Sequence, residues 1–124
     1  MSNSEKAKQL YLACDNCDPE VSTLMPFFLF EGKRGGIYPQ MLLGMMINKY
    51  ATEKFEDDWI PFNKESFYIG KQDKEGWVNY KKYAYRLKKK GYVEMKFENN
   101  QNWIRLTTDE PYNPELYKRK ELVL

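Results

Sequence analysis

The chain has 124 residues, of which 20 are Lys or Arg, 18 are Asp or Glu and none is histidine, so its formal net charge is +2. This length suits one domain, and an apolar share of 42% is enough to form a core. The lack of histidine excludes Ser–His and Cys–His nucleophile pairs. No apolar run approaches the roughly 20 residues of a membrane span, and the polar N-terminus does not suit a secretory signal. We therefore expect a cytosolic protein that is not an enzyme and has no membrane partner.

The N-terminal residues 4–14 carry apolar side chains at helical spacing, which predicts a short amphipathic helix. The only cysteines, Cys14 and Cys17, stand at its end with C-x-x-C spacing. They would supply half of a four-ligand zinc site. A thioredoxin-like site would need a strand before the motif, not the end of a helix. We interpret both as structural or incidental thiols and predict neither a metal site nor a cofactor.

Two apolar segments follow. Residues 27–30 form a compact run that predicts a buried strand or extended segment, and we group them with the first helix as an N-terminal segment over residues 1–37. Residues 38–55 are apolar around most of a helical circumference, which predicts a helix at the centre of the core. Its several methionines would also suit a promiscuous binding groove, but core packing is the favoured interpretation.

An acidic stretch after this helix contains Glu53, Glu56, Asp57 and Asp58. Clustered carboxylates can hold a hard cation or act as an acid/base pair. Their spacing matches no ligand loop, so we predict a solvated connection without catalytic residues.

Residues 59–62 predict a short extended segment, because Pro61 keeps the residue before it out of the helical region. Asn63 is then placed to cap a short helix over residues 64–69, and Gly70 to end it with a positive φ.

Positive charge is concentrated in residues 71–97, which hold nine Lys or Arg against three acidic residues, a local charge of +6. The rest of the chain sums to −4. Such a concentration is how a protein meets a polyanion. Function is therefore expected in this segment.

Within it, a helix is predicted after a turn over residues 71–76. Projected at about 100° per residue, two sets of side chains separate onto opposite faces. The packing set is Trp77, Tyr80, Tyr83, Ala84 and Leu87, and the solvent set is Asn79, Lys82, Arg86 and Lys89. Gly91 is placed to end the helix.

A hairpin follows this basic helix. Residues 92–97 alternate as a half-buried strand, residues 98–102 predict a turn because asparagine tolerates left-handed conformations, and residues 103–107 return as the second strand.

The order of these elements, over residues 38–107, resembles the winged helix-turn-helix superfamily. Residues 70–93 match the pattern in which a glycine ends the second helix, a basic recognition helix follows, and Leu-Lys-Lys-Lys-Gly-Tyr-Val leads into the wing. Residues 104–107, Ile-Arg-Leu-Thr, are similar to the usual return strand. The resemblance implies an α+β winged helix-turn-helix fold with a three-helix core and a C-terminal β-hairpin wing.

A weaker resemblance concerns residues 47–50, the acidic loop and residues 59–62. These are similar to the N-terminal domains of phage and plasmid replication initiators and replisome organisers. The implied role is transcriptional regulation or a part in DNA replication.

Double-stranded DNA is the expected partner, because cations on an exposed helix release condensed counterions from the phosphates that they neutralise. Asn79 and Arg86 have the geometry to bind adenine and guanine edges, whereas lysines suit the backbone and the wing would touch an adjacent groove. The predicted DNA-binding residues are Asn79, Lys81, Lys82, Tyr85, Arg86, Lys88, Lys89, Lys90, Lys96 and Asn100.

Alternatives stay open at this point. The helix face can be merely solvated, and winged helices also serve as protein-binding adaptors or inhibitors, here with Tyr85, Tyr92 and Trp103 as the interface. The tail, residues 108–124, predicts either a last helix over 115–124 that docks on a second copy in a homodimer, or a disordered end.

Overall fold

The computed structural model describes residues 2–14, 17–20, 23–24, 37–67 and 74–117. Over these ranges it is an α+β fold whose three strands form one antiparallel sheet in the order β1-β3-β2. The helices are α1 (Asn3–Ala13), α2 (Ile37–Thr52) and α3 (Lys74–Lys89), and the strands are β1 (Ile60–Pro61), β2 (Val93–Glu98) and β3 (Gln101–Leu106). The extended segment predicted at residues 27–30 lies outside the described residues. No helix in the described ranges is both long enough and apolar enough to span a bilayer.

Helix α1 confirms the N-terminal prediction. Ser2 caps it, since its Oγ accepts a hydrogen bond of 3.2 Å from the Glu5 N–H. Ala7, Leu10 and Tyr11 are buried, and the helix packs along α2. The N-terminal helix therefore belongs to the same core as the elements that follow.

Helix α2 is the central core element, as predicted, although it ends at Thr52 rather than at residue 55. The helix packs against α1 and α3, and its buried side chains belong to one core cluster with those of the sheet. The α2 side chains with no exposed area are Leu42, Leu43, Met46, Ile47 and Tyr50.

The hydroxyl of Tyr50 replaces a backbone hydrogen-bonded pair that is missing from the sheet next to β1. Continuing the pairing of Ile60 with Ile104 by two residues would place Asp58 opposite Leu106. There the Leu106 N–H donates to the Tyr50 hydroxyl at 3.2 Å, and that hydroxyl donates to the Asp58 carbonyl at 2.7 Å. The tyrosine thus satisfies both backbone groups at the point where β1 has not yet begun.

The predicted short helix at residues 64–69 is wrong where the structure describes it, because residues 63–67 form a single turn. Asn63 does cap this turn, its Oδ1 accepting from the Ser66 N–H at 2.8 Å, and the Phe67 N–H closes it onto the Asn63 carbonyl at 3.2 Å. Phe67 is fully buried, with its ring 5.3 Å from that of Phe62. Burial of this side chain holds the segment in place after one turn. The three α-helices of the described core are therefore α1, α2 and α3, and the segment after Asn63 is not one of them. Residues 68–70 lie outside the described ranges.

Helix α3 begins at Lys74, so residues 74–76 are helical and not part of the predicted turn. A glycine at position 76 weakens a helix without forbidding it. The C-terminal end follows the prediction: Gly91 has φ of +81°, its N–H donates to the Lys88 carbonyl, and the Tyr92 N–H donates to the Leu87 carbonyl. This pair of bonds is a Schellman motif.

The hairpin turn is tighter than predicted. Asn99 and Asn100 have φ of 53° and 60°, as a two-residue type I′ turn requires. Because that turn matches the twist of the strands, pairing continues up to Glu98 and Gln101, and β3 begins two residues earlier than expected.

The described part of the tail folds back on its own chain. The Tyr112 hydroxyl donates to Asn3 Oδ1 at 3.0 Å, Lys6 pairs with Asp109 at 2.6 Å, and Pro111 is buried. Pro114–Tyr117 is a short 3-10 helix, held by a bond from the Tyr117 hydroxyl to the Pro111 carbonyl. The last helix over residues 115–124, which was one of the two alternatives for the tail, stays a prediction. Residues 118–124 lie outside the described ranges.

Candidate nucleic-acid interface

Helix α3 is fixed to the core by the face predicted to pack. Ala84 and Leu87 are fully buried, and the Trp77 ring lies 4.9 Å from the ring of Phe62. On the α2 side, the Tyr80 hydroxyl donates to Met45 Sδ at 3.8 Å. These contacts hold the helix by one side and leave the other in solvent.

The rest of the helix circumference carries the predicted DNA-binding side chains, and every one of them on this helix and the following turn is exposed. They are Asn79, Lys81, Lys82, Tyr85, Arg86, Lys88, Lys89 and Lys90. The structure therefore brings these eight residues together on one rod-like surface, which we call the α3 face.

Five cations of the α3 face have no ion pair with an acid among the described residues. Among the described residues, the ion pairs all lie elsewhere, and none includes Lys81, Lys82, Arg86, Lys88 or Lys89. Two of these cations instead lie near rings of the packing face, Lys81 at 5.8 Å from Trp77 and Arg86 at 6.0 Å from Tyr83. A cation lying against an aromatic ring keeps its charge while its stem is steadied.

Lys96 is placed differently from the other predicted cations. Its Nζ lies 2.7 Å from Glu98 and 4.4 Å above the ring of Trp59. In the register of the hairpin Lys96 is opposite Trp103, and neighbouring Ile104 points to the core. Lys96 therefore lies on the outer sheet face, away from α3, with its charge paired.

Asn100, at the hairpin turn, lines a groove of about 330 Å³ between the turn and the start of α3. Its lining includes Phe62, Asn63, Lys64, Glu65, Trp77, Lys81, Asn100, Gln101 and Asn102. Of the predicted residues, Lys81 and Asn100 thus share one rim.

The outer sheet face holds a second, larger cleft of about 530 Å³. Trp59 lines this cleft, and the guanidinium carbon of Arg105 lies 4.3 Å from the centre of its ring. The same guanidinium forms an ion pair of 2.7 Å with the Glu94 carboxylate. The hydrogen bond to Glu94 is the main cause that raises the pKa of Arg105. The lining is Lys54, Phe55, Glu56, Asp57, Trp59, Pro61, Lys96, Glu98, Asn99 and Trp103.

The three aromatic residues expected at an adaptor interface lie on different elements. Tyr85 is on the α3 face and 57% exposed, whereas Trp103 is on the outer side of the sheet, with its indole N–H bonded to the Glu98 carbonyl at 3.0 Å. Tyr92 lies between them in the chain, half-buried at the start of the hairpin. An adaptor interface built from these residues stays a prediction.

One feature of the α3 face was missed by sequence reasoning. Val78 is 49% exposed and lies on the same side of the helix as Tyr85, seven residues later. The signal was present in the helical projection, where an apolar β-branched residue falls among lysines on the outward side.

The cysteines and the acidic stretch lie against other parts of the described chain. Cys14 and Cys17 are half-buried thiols that pack against the core. Asp57 pairs with Arg105 at 3.1 Å, and Asp58 Oδ2 accepts from the Asn3 N–H at the start of α1. Within the described ranges, no group of three or more Cys, Asp or Glu is arranged to hold a metal ion.

Comparisons with protein-family models, with curated proteins and with solved structures find no match to this chain. The geometry and charge of the α3 face are therefore the features that indicate a function.

Proposed function

We propose that this protein binds double-stranded DNA by laying α3 in the major groove, as a small transcriptional regulator or replication-associated factor. The observation that carries the proposal is the α3 face, with five exposed cations that no described acid pairs. The B-DNA major groove is wide enough to admit an α-helix. A helix that packs on the protein by one side and carries cations on the other can therefore lie in the groove and bind the phosphates beside it.

The element order supports a winged helix-turn-helix interpretation of the fold. Helix α2, strand β1, the turn capped by Asn63, helix α3 and the hairpin follow one another, and β1 pairs with β3. This arrangement is compatible with a recognition helix followed by a wing. In that layout Asn100 and Lys81 would approach the same stretch of backbone.

A salt titration of binding to a random-sequence duplex tests the proposal. If four cations of α3 each neutralise one phosphate, the slope of log K against log salt concentration is about −3 to −4. Substituting Lys82→Ala or Arg86→Ala should each make the slope less steep by about one. Lys8→Ala, which removes an exposed lysine from α1, is the matched control and should leave the slope unchanged. Fluorescence anisotropy would give all four titrations, and a slope near zero for the unmodified protein would remove DNA as the partner.

The cleft around Trp59 and Trp103 favours a second candidate, a protein-interaction module that does not need DNA. Aromatic side chains are enriched at protein interfaces, and this cleft is on the side of the sheet away from α3. Partner capture that survives nuclease treatment and Lys82→Ala, but is lost in Trp103→Ala, would favour this function over DNA binding.

A further inference from the structure

Apolar side chains interrupt the charge of the α3 face. Val78 and Tyr85 are 49% and 57% exposed, and seven residues place them two turns apart on one line of the helix. Lys82 and Lys89 are adjacent to this line and exposed. The surface offered to a partner is therefore a row of apolar contacts beside a row of cations.

The chemistry of the major groove assigns different partners to the two rows. Cations bind phosphates at any sequence, and they carry the salt dependence. The isopropyl group of Val78 has no donor or acceptor, so among the groups displayed by base pairs it finds an apolar contact only in the 5-methyl group of thymine. The separation of Val78 and Tyr85, seven residues at about 1.5 Å each, corresponds to roughly three base-pair steps.

We infer that Val78 makes α3 selective for thymine by contacting its 5-methyl group, with Tyr85 as a second apolar contact, so that the preferred ligand is duplex DNA containing A·T pairs. This inference rests on the proposed DNA-binding function. It adds a sequence preference that the lysines cannot supply, and it assigns that preference to a side chain rather than to net charge.

Duplexes that differ only in the methyl group test this assignment directly. The full chain is titrated with an alternating A·T duplex, with the same duplex containing deoxyuridine in place of thymidine, with an alternating G·C duplex, and with its 5-methylcytosine form. Each methyl group removed from water should tighten Kd by about fourfold. The thymine duplex should therefore bind more tightly than the uracil duplex, and 5-methylcytosine should strengthen binding to the G·C duplex.

A protein–DNA double-mutant cycle isolates Val78 from any effect of the methyl group on DNA itself. Val78→Ala should remove most of the difference between thymine and uracil while keeping the salt slope of the unmodified protein. Alanine favours a helix more than valine does, so the variant should remain folded, and a thermal melt checks this. Leu12→Ala is the matched control, because it truncates an apolar side chain that is 84% exposed on α1, and it should preserve the full difference.

The outcomes separate the inference from the proposed function. Equal affinity for thymine and uracil duplexes, or a difference that Val78→Ala leaves intact, overturns methyl recognition by Val78 while a steep salt slope still supports DNA binding. Failure to bind any of the four duplexes overturns both.

Discussion

Replacement of Tyr50 by phenylalanine removes one hydrogen-bonding oxygen atom from the core. That hydroxyl accepts from the Leu106 N–H at 3.2 Å and donates to the Asp58 carbonyl at 2.7 Å, and the tyrosine has no exposed area. Each bond contributes about 1 kcal/mol net, and a buried N–H left without a partner adds a desolvation cost of about 1 kcal/mol or more. We expect Tyr50→Phe to lower the free energy of unfolding by about 2–3 kcal/mol, with a fall in Tm on the order of 10 °C.

Urea and thermal unfolding followed by circular dichroism would measure this loss. Tyr85→Phe is the matched control: it removes the same atom from a side chain that is 57% exposed, and it should change stability by less than about 0.5 kcal/mol. A cost for Tyr50→Phe as small as that of the control would refute the reasoning. It would mean that the Leu106 N–H and the Asp58 carbonyl close the rung directly once the hydroxyl is gone.

Three further predictions concern stability. Gly91→Ala should cost about 1 kcal/mol in urea unfolding, because φ is +81° while nothing lies within 4 Å of the added Cβ, and a cost no larger than that of Lys89→Ala would contradict the backbone argument. Burial raises the pKa of Tyr112 and Tyr117 above the ordinary value. The stabilisation that the two neutral phenols give to the folded state is therefore complete below the unfolded pKa of about 10 and is lost as pH rises further. Unfolding free energy should therefore fall above pH ~10 by about 1.4 kcal/mol per pH unit for each tyrosine, and a flat profile in an alkaline urea series would contradict this. Arg86→Ala should leave Tm nearly unchanged, since its exposed guanidinium has no ion pair among the described residues, and a large loss would show a structural role instead.

Much of the fold was predictable because its signals are local. The packing and solvent faces of α3 follow from a helical period within 16 residues, and Gly91 ends the helix because a left-handed residue closes two bonds to the preceding turn. The same is true of Asn63, whose side chain caps the turn three residues later, and of Asn99 and Asn100, which turn the hairpin.

The structure departs from the sequence prediction where a local preference meets a tertiary contact. Residues 64–69 follow a helix cap at Asn63, but Phe67 is buried in the core against Phe62, and only one turn forms in the described part. Lys96, which was predicted to bind DNA from the wing, lies on the outer sheet face against Glu98 and Trp59. Its contact with Trp59 depends on how the segment around β1 lies beside the hairpin, and the sequence pattern does not give that placement. DNA binding by Lys96 stays a prediction.

The sequence by itself determined that a cationic amphipathic helix is followed by a hairpin, because periodicity, caps and turn residues act over a few positions. Only the tertiary structure decided which cations remain without an acid. Lys6 pairs with Asp109, which is 103 residues away, and Arg105 pairs with Asp57, which is 48 residues away. Five cations of α3 have no ion pair with an acid among the described residues: Lys81, Lys82, Arg86, Lys88 and Lys89. The energy of an ion pair depends on the distance between its charges in space, and separation along the sequence does not give that distance. The cations of the candidate interface could therefore be identified only from the folded chain.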